Sequence, residues 1–339
     1  MPTSATTAPP KRSMIWLGLL ILYVVWGSTY LGIAIAVDTI PPFVMAALRF
    51  LLAGGALLAW SVLRSGGSFD WPTRREWRDS TIVGALLLGG GMGMVAWGEQ
   101  TIPSGIAALF IATMPVWVAV LGGLFLGERL PRLAVVGIVI GFLGVAILVG
   151  PSVFGSSGAL DPAGIVALII SPIAWATGSL FASHRAALPS RPLVSTGAQM
   201  LMGGLVLAAM SVVSGEWQGF QPAAVSMDSF LAFVYLTLIG SLLAFTTFSW
   251  LVSVAPLPLV TTYAYVNPIV AVVLGWIVLQ EPIDARTLVA GTVIVAAVAL
   301  IVTARGRLPR PGAQTEPVVT TPLPGSSVSP QPAAVSGPR

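Results

Sequence analysis

The chain has 339 residues, 56% of them apolar and only 8% charged, and a net charge of +4. Ordinary globular proteins carry about 25% charged residues, so this composition, with a mean hydropathy of +0.92, excludes a soluble multidomain protein and points to a polytopic membrane protein. The absence of cysteine and the single histidine, His184, exclude disulfides, thiol nucleophiles, thiolate metal sites and any site that needs two imidazoles from one chain.

Residues 1–13 are rich in Thr, Ala and Pro and end in a basic pair, Lys11 and Arg12. They read as a disordered N-terminus. Ala34, Ile35 and Ala36 resemble a signal-cleavage site, but the apolar run 14–37 is too long for a signal core and more spans follow. It is therefore taken as the first of ten apolar segments, 14–37, 43–63, 80–98, 104–126, 132–150, 162–183, 193–214, 230–253, 259–279 and 285–303. Each is near the ~20 residues that cross hydrocarbon as a helix. Pro256 and Pro258 separate the eighth segment from the ninth. Residues 304–339 are basic, then rich in Pro, Ser, Val and Thr, and read as a disordered tail.

The basic residues lie between apolar runs, which reports orientation in the bilayer and argues against a nucleic-acid partner. With the N-terminus in the cytoplasm, every Lys and Arg except Arg49 and Arg286 falls inside, while Asp38, Glu99, Asp161, Glu216, Asp228, Glu281 and Asp284 fall outside. Both termini are thus expected in the cytoplasm of a multi-pass inner (plasma) membrane protein.

A constant offset relates the two parts of the chain. Trp97, Pro103, Pro115, Gly122 and Glu128 recur as Trp250, Pro256, Pro268, Gly275 and Glu281, each 153 residues later (250 − 97 = 153). Two repeats, 14–150 and 162–303, hold five segments each. Five is odd, so the second repeat enters the membrane inverted relative to the first, an arrangement suited to alternating access.

The motifs WGSTY at 26–30, PP to RF over 41–50, PSGIAAL at 103–109 and TTYAYVNP at 261–268, with GE and QE closing the fourth and ninth segments, resemble the EamA family of the drug/metabolite transporter superfamily in its ten-helix form. The resemblance covers about residues 14–303. It implies an all-α fold of two inverted five-helix repeats around a central cavity, with the fifth and tenth helices peripheral, and transport of small metabolites, amino-acid export among them.

Several residues invite a functional reading. Pro115 and Pro268 lie inside apolar helices, free the carbonyls of Ile111 and Ala264, and pair by the repeat, which marks them as candidate hinges. Asn267 is a donor and acceptor for a substrate or equally an interhelical tie. Tyr263 and Tyr265 place a phenol on each face of the same helix. Trp26, Ser28 and Tyr30 lie midway along the first segment and Trp175 midway along the sixth, away from the interfacial belt where Trp is usual. With Trp97 they form the candidate substrate surface, or else packing bulk. Arg49 lies about 10 Å inside the second segment, at 1.5 Å per residue. Glu99 is its expected structural partner; an anionic substrate group is the sharper alternative.

Glycines at 137, 141 and 144 offer a face for a homodimer. No metal site, nucleotide motif or cofactor site is expected, and no acid lies at the centre of a segment to mark a proton relay. The expectation is a non-enzymatic exporter or facilitator of small organic metabolites, neutral amino acids above all, with the lipid bilayer as its solvent. A carrier of drug-like or lipid-linked molecules and a non-transporting assembly protein are the other readings.

Overall fold

The computed structural model describes residues 12–127, 131–153, 160–255, 257–260 and 262–306. Most of both expected tails, together with Glu128, Arg129, Pro256 and Thr261, lies outside the described residues. Ten helices follow in order: α1 Arg12–Ala36, α2 Pro42–Arg64, α3 Arg74–Gly98, α4 Ser104–Leu126, α5 Arg132–Val153, α6 Pro162–His184, α7 Pro192–Val213, α8 Met227–Val252, α9 Tyr263–Val278 and α10 Ala285–Gly306. Among the described residues there is no strand. Nine of these helices are long and apolar enough to cross a membrane; α9, at 16 residues, follows a one-turn helix, Leu257–Val260.

Helix starts follow local chemistry. Proline occupies the first turn of α2, α6 and α7, where its missing N–H costs nothing. The third helix begins at Arg74, six residues before the apolar run. There Thr73 and Glu76 form a reciprocal capping box, the Glu76 amide donating to Thr73 Oγ1 at 3.2 Å and the Thr73 amide to Glu76 Oε2 at 2.7 Å. At the edges of the expected tails, Arg12 and residues 304–306 are helical.

One irregularity recurs in both repeats. In α3 the turns widen to π geometry over Ala85–Gly93, and in α8 over Leu236–Leu243. The offset carries Ala85 to position 238 (85 + 153), inside the second widened stretch. Widened turns loosen the carbonyl ladder, and Ser171 Oγ of α6 donates to the Gly91 carbonyl at 2.9 Å. The prolines do not repeat so faithfully. The fourth helix breaks at Thr113, and Pro115 sits in the first turn of its second piece, whereas Pro268 lies within a continuous α9.

The packing has an internal twofold character. Counterparts pair across the repeats as α2 with α7, α4 with α9 and α5 with α10, while α1 packs on α8 and α9, and α6 on α3 and α4. Glycines allow the close approaches. A Cβ at Gly54 of α2 would stand 2.6 Å from the Leu201 amide nitrogen and 2.8 Å from the Gly197 carbonyl oxygen of α7. On α5, Gly137 and Gly144 press against Ile301 and Ile294 of α10. The face that their spacing offers to a second copy is therefore filled by the same chain.

Acid side chains tie the ends of the bundle together across the repeats. The carboxylate of Glu216 accepts from the amides of Phe43 (2.8 Å) and Val44 (3.3 Å) at the start of α2. Beyond α9, Gln280 takes a left-handed φ of 55°, matching its counterpart Gly127 at 65°. That turn folds Glu281 back over Gly275, so its carboxylate accepts from the amides of Ser104 (2.7 Å) and Gly105 (3.1 Å) at the start of α4. Both acids thus satisfy otherwise orphaned N–H groups where the helix dipole favours negative charge.

Candidate functional site: a cleft between the repeats

At the end of the bundle that carries Asp38 and Asp228, α8 and the end of α9 flank α1 to form a cleft of about 770 Å³. Its wall includes Ser28, Gly32, Ala34 and Ile35 of α1, Ser229 and Tyr235 of α8, and Leu279 after α9, with Asp38 and Asp228 near its mouth. The hydroxyls of Ser28 and Tyr235 are 2.6 Å apart and share a hydrogen bond across the repeats. Ser229 Oγ donates to the Ile35 carbonyl at 2.8 Å, which fixes α8 against α1 near the mouth.

Beside the cleft, outside its lining, α1 carries an aromatic cluster. Trp26 lies below Ser28 on α1, its ring centroid 4.8 Å from Tyr263, 5.4 Å from Phe245 and 5.3 Å from Phe248. Edge-to-face contacts of this kind add to simple apolar burial. One turn further, the hydroxyls of Tyr23 and Thr262 hydrogen-bond and join α1 to the start of α9.

A second, smaller cleft of about 320 Å³ is lined by Leu121, Phe125 and Leu126 of α4 and by Thr177, Leu180, Phe181 and Arg185 at the end of α6. Adding 153 to Phe125 and Leu126 gives Val278 and Leu279 of the first cleft. Aligning Trp26 with Trp175 (175 − 26 = 149) carries Ser28, Leu31 and Gly32 onto Thr177, Leu180 and Phe181. Five positions are thus equivalent between the two clefts, which differ more than twofold in volume, and the α8 wall of the larger has no α3 counterpart in the smaller.

Of the sequence-predicted residues, Ser28 alone lines this cleft, while Trp26 and Tyr263 pack on each other in the aromatic cluster beside it. Tyr30 and Tyr265 pack into the adjoining core. Asn267 is 8% exposed with Oδ1 unpartnered, and its backbone carbonyl faces Gly27. Trp97 and Trp175 lie apart from both the cleft and the Trp26 cluster. Trp97 borders a separate groove with Phe43, Met94 and Pro162, and Trp175 covers Gly91 in the widened part of α3. Tyr235, Phe245 and Phe248 escaped the sequence reading; their signal was a run of aromatics in the eighth segment, whose facing only the fold reveals.

The expected ion pair between Arg49 and Glu99 is not formed. Arg49, 2% exposed, donates from Nε to Ser241 Oγ of α8 at 2.8 Å and lies against the Phe50 ring, 4.9 Å from its centroid. Its Nη2 lies beside Gly240, and among the described residues no carboxylate pairs with it. The widened turns of α8 present Gly240 and Ser241 to the guanidinium and draw it away from α3. Glu99, one residue beyond α3, is 6% exposed, and both carboxylate oxygens are buried without a hydrogen-bond partner. Burial first, and the Glu281 carboxylate second, push its pKa well above the ordinary carboxylate range; the Ala34 backbone N–H lies nearby without hydrogen-bond geometry and opposes the shift only in small part. Among the described residues no group of three or more His, Asp or Glu side chains could hold a metal ion.

The EamA-like transporter family model matches residues 13–150 and again 162–303. The chain belongs to that family. It is 40% identical over 286 residues to the uncharacterized inner membrane transporter YedA of Escherichia coli (strain K12), spanning 84% of this chain and 89% of that protein. It is 29% identical over 281 residues to protein PecM of Dickeya dadantii, spanning 82% and 88%. A protein of known crystal structure shares the fold with a TM-score of 0.58 at 20% identity, over 87% of this chain and 99% of that one. The EamA protein described here is accordingly a multi-pass inner membrane transporter.

Proposed function

We propose that this EamA protein carries small organic metabolites, with neutral amino acids as their class, and exports or equilibrates them by alternate opening of its two clefts. The observation that carries the reading is the inequality of two clefts that share five equivalent positions of the repeats. In inverted repeats, exchanging the conformations of the halves exchanges an opening at one face for an opening at the other. The larger cleft is assigned to the outside by the charge bias of the loops. Ser28 and Tyr235 offer polar contacts in the larger cleft, beside the aromatic cluster of Trp26 and Tyr263. The break of α4 at Thr113, beside Pro115, and the paired Pro268 of α9 are the proposed hinges.

Arg49 supports a substrate with a carboxylate. A buried guanidinium without an acid partner is costly in a membrane, and its planar fork fits a carboxylate oxygen pair. Counterflow in proteoliposomes tests the proposal: vesicles loaded with a mixed pool of unlabelled amino acids are expected to accumulate labelled neutral amino acids from outside. No accumulation with folded, inserted protein would remove amino acids as the class. The second reading, a carrier of drug-like or lipid-linked molecules, is favoured by one observation, an almost wholly apolar groove of about 510 Å³ between α9 and α10 that includes Pro268, Val272 and Gly291. It gains ground if amphipathic molecules alone give counterflow.

A further inference from the structure

We infer that Glu99 is the proton-binding carboxyl of this carrier, so that one proton is bound and released in each transport cycle. The inference rests on the transport reading above. Its ground is geometric. Both oxygens of Glu99 are sealed from solvent and neither has a hydrogen-bond partner. The nearest cationic candidate, Arg49, is committed to Ser241. An ionised carboxylate stripped of water and of partners is too costly to persist, and such a group takes up a proton instead. An organic or hydrated cation would need room beside the carboxyl; a proton needs none.

The groups around it agree. Tyr30 of α1 lies near Glu99, and Tyr263 of α9 near Tyr30; both are phenols that bring no positive charge. From the turn after α9, Glu281 adds a negative charge, and it is held at the α4 amides and so brings no donor. At the start of α6, Asp161 is occupied by the Gly164 amide and the Thr101 hydroxyl. The Ala34 backbone beside Glu99 belongs to the helix that lines the open cleft. A movement of α1 that opens or closes the cleft therefore changes the access of water to this carboxyl. The proton comes from solvent, adds to one carboxylate oxygen, and returns to solvent when the carboxyl is next hydrated. The offset carries Glu99 to Val252 (99 + 153), so the second repeat supplies no equivalent acid and the expected stoichiometry is one.

Two measurements on the full-length protein and on Glu99→Gln test this. Glutamine keeps the shape of a protonated carboxyl, so the variant is expected to fold. In infrared spectra at neutral pH the wild type is expected to show a protonated-carboxyl C=O band that Glu99→Gln lacks; no such difference overturns the inference whatever the substrate. In proteoliposomes, counterflow with the mixed amino-acid pool is expected in both proteins. Accumulation driven by an imposed pH gradient is expected in the wild type and lost in the variant. Counterflow that a pH gradient does not alter in the wild type, or gradient-driven accumulation that survives in Glu99→Gln, overturns proton coupling and leaves the transport reading standing. Absence of counterflow removes the transport reading instead.

Discussion

Gly54→Ala is expected to destabilise the folded protein by about 1–3 kcal/mol, the range for overpacking a close contact, while Gly55→Ala one residue along is expected to be neutral or stabilising by up to about 1 kcal/mol. A methyl at position 54 meets backbone, the Leu201 nitrogen at 2.6 Å and the Gly197 oxygen at 2.8 Å. Backbone does not rotate aside as a side chain does, so α2 and α7 must separate. A methyl at position 55 meets nothing within 4 Å, leaving only the gain in helix propensity. Thermal unfolding of the two variants in detergent separates the effects. Equal destabilisation by both would mean that the α2–α7 contact is not the tight joint between the repeats.

Arg49→Met is expected to abolish amino-acid counterflow without lowering stability. Removing one partner of a desolvated charge pair costs about 2–5 kcal/mol in binding, which at about 1.4 kcal/mol per tenfold is a loss of roughly 30-fold or more. The same substitution removes a buried cation that hydrogen-bonds to Ser241 and, among the described residues, pairs with no carboxylate. A methionine of similar length leaves an apolar contact in its place, and replacing buried charges by well-packed apolar groups is often neutral or stabilising. The split between lost transport and retained stability is the diagnostic. If stability falls together with transport, Arg49 is a structural residue and the carboxylate reading loses its main support.

The ten helices and their inversion were legible because the bilayer sets segment length and because one offset recurs at Trp97, Pro115 and Gly122. The same offset also matches Gly127 to Gln280, and both positions take left-handed backbone although one is not glycine. The partner of Arg49 was not legible. Sequence places Arg49 and Glu99 toward the same face of the membrane, but it does not reveal the widened turns that bring Ser241, 192 residues away, into reach. The aromatic cluster around Trp26 was half legible. Trp26 and Tyr263 stood out as aromatics at mid-membrane depth, while Phe245 and Phe248 lay in an eighth segment whose apolar character all round gives no facing signal. Trp97 and Trp175 misled for the same reason: residue type and depth suggested a shared cavity, and the packing of α6 on α3 sent them elsewhere.

The alternate opening of the two clefts is tested most directly by paired cysteine labelling, which the absence of native cysteine makes clean. Leu31→Cys lies in the larger cleft and Leu180→Cys at the equivalent position of the smaller one. In oriented vesicles a membrane-impermeant maleimide is expected to modify Leu31→Cys from the outer side in the resting protein. Saturating amino acid on that side is expected to protect Leu31→Cys while raising the reactivity of Leu180→Cys from the cytoplasmic side. Reactivities that rise and fall together, or that ignore the substrate, would contradict alternation between the two clefts.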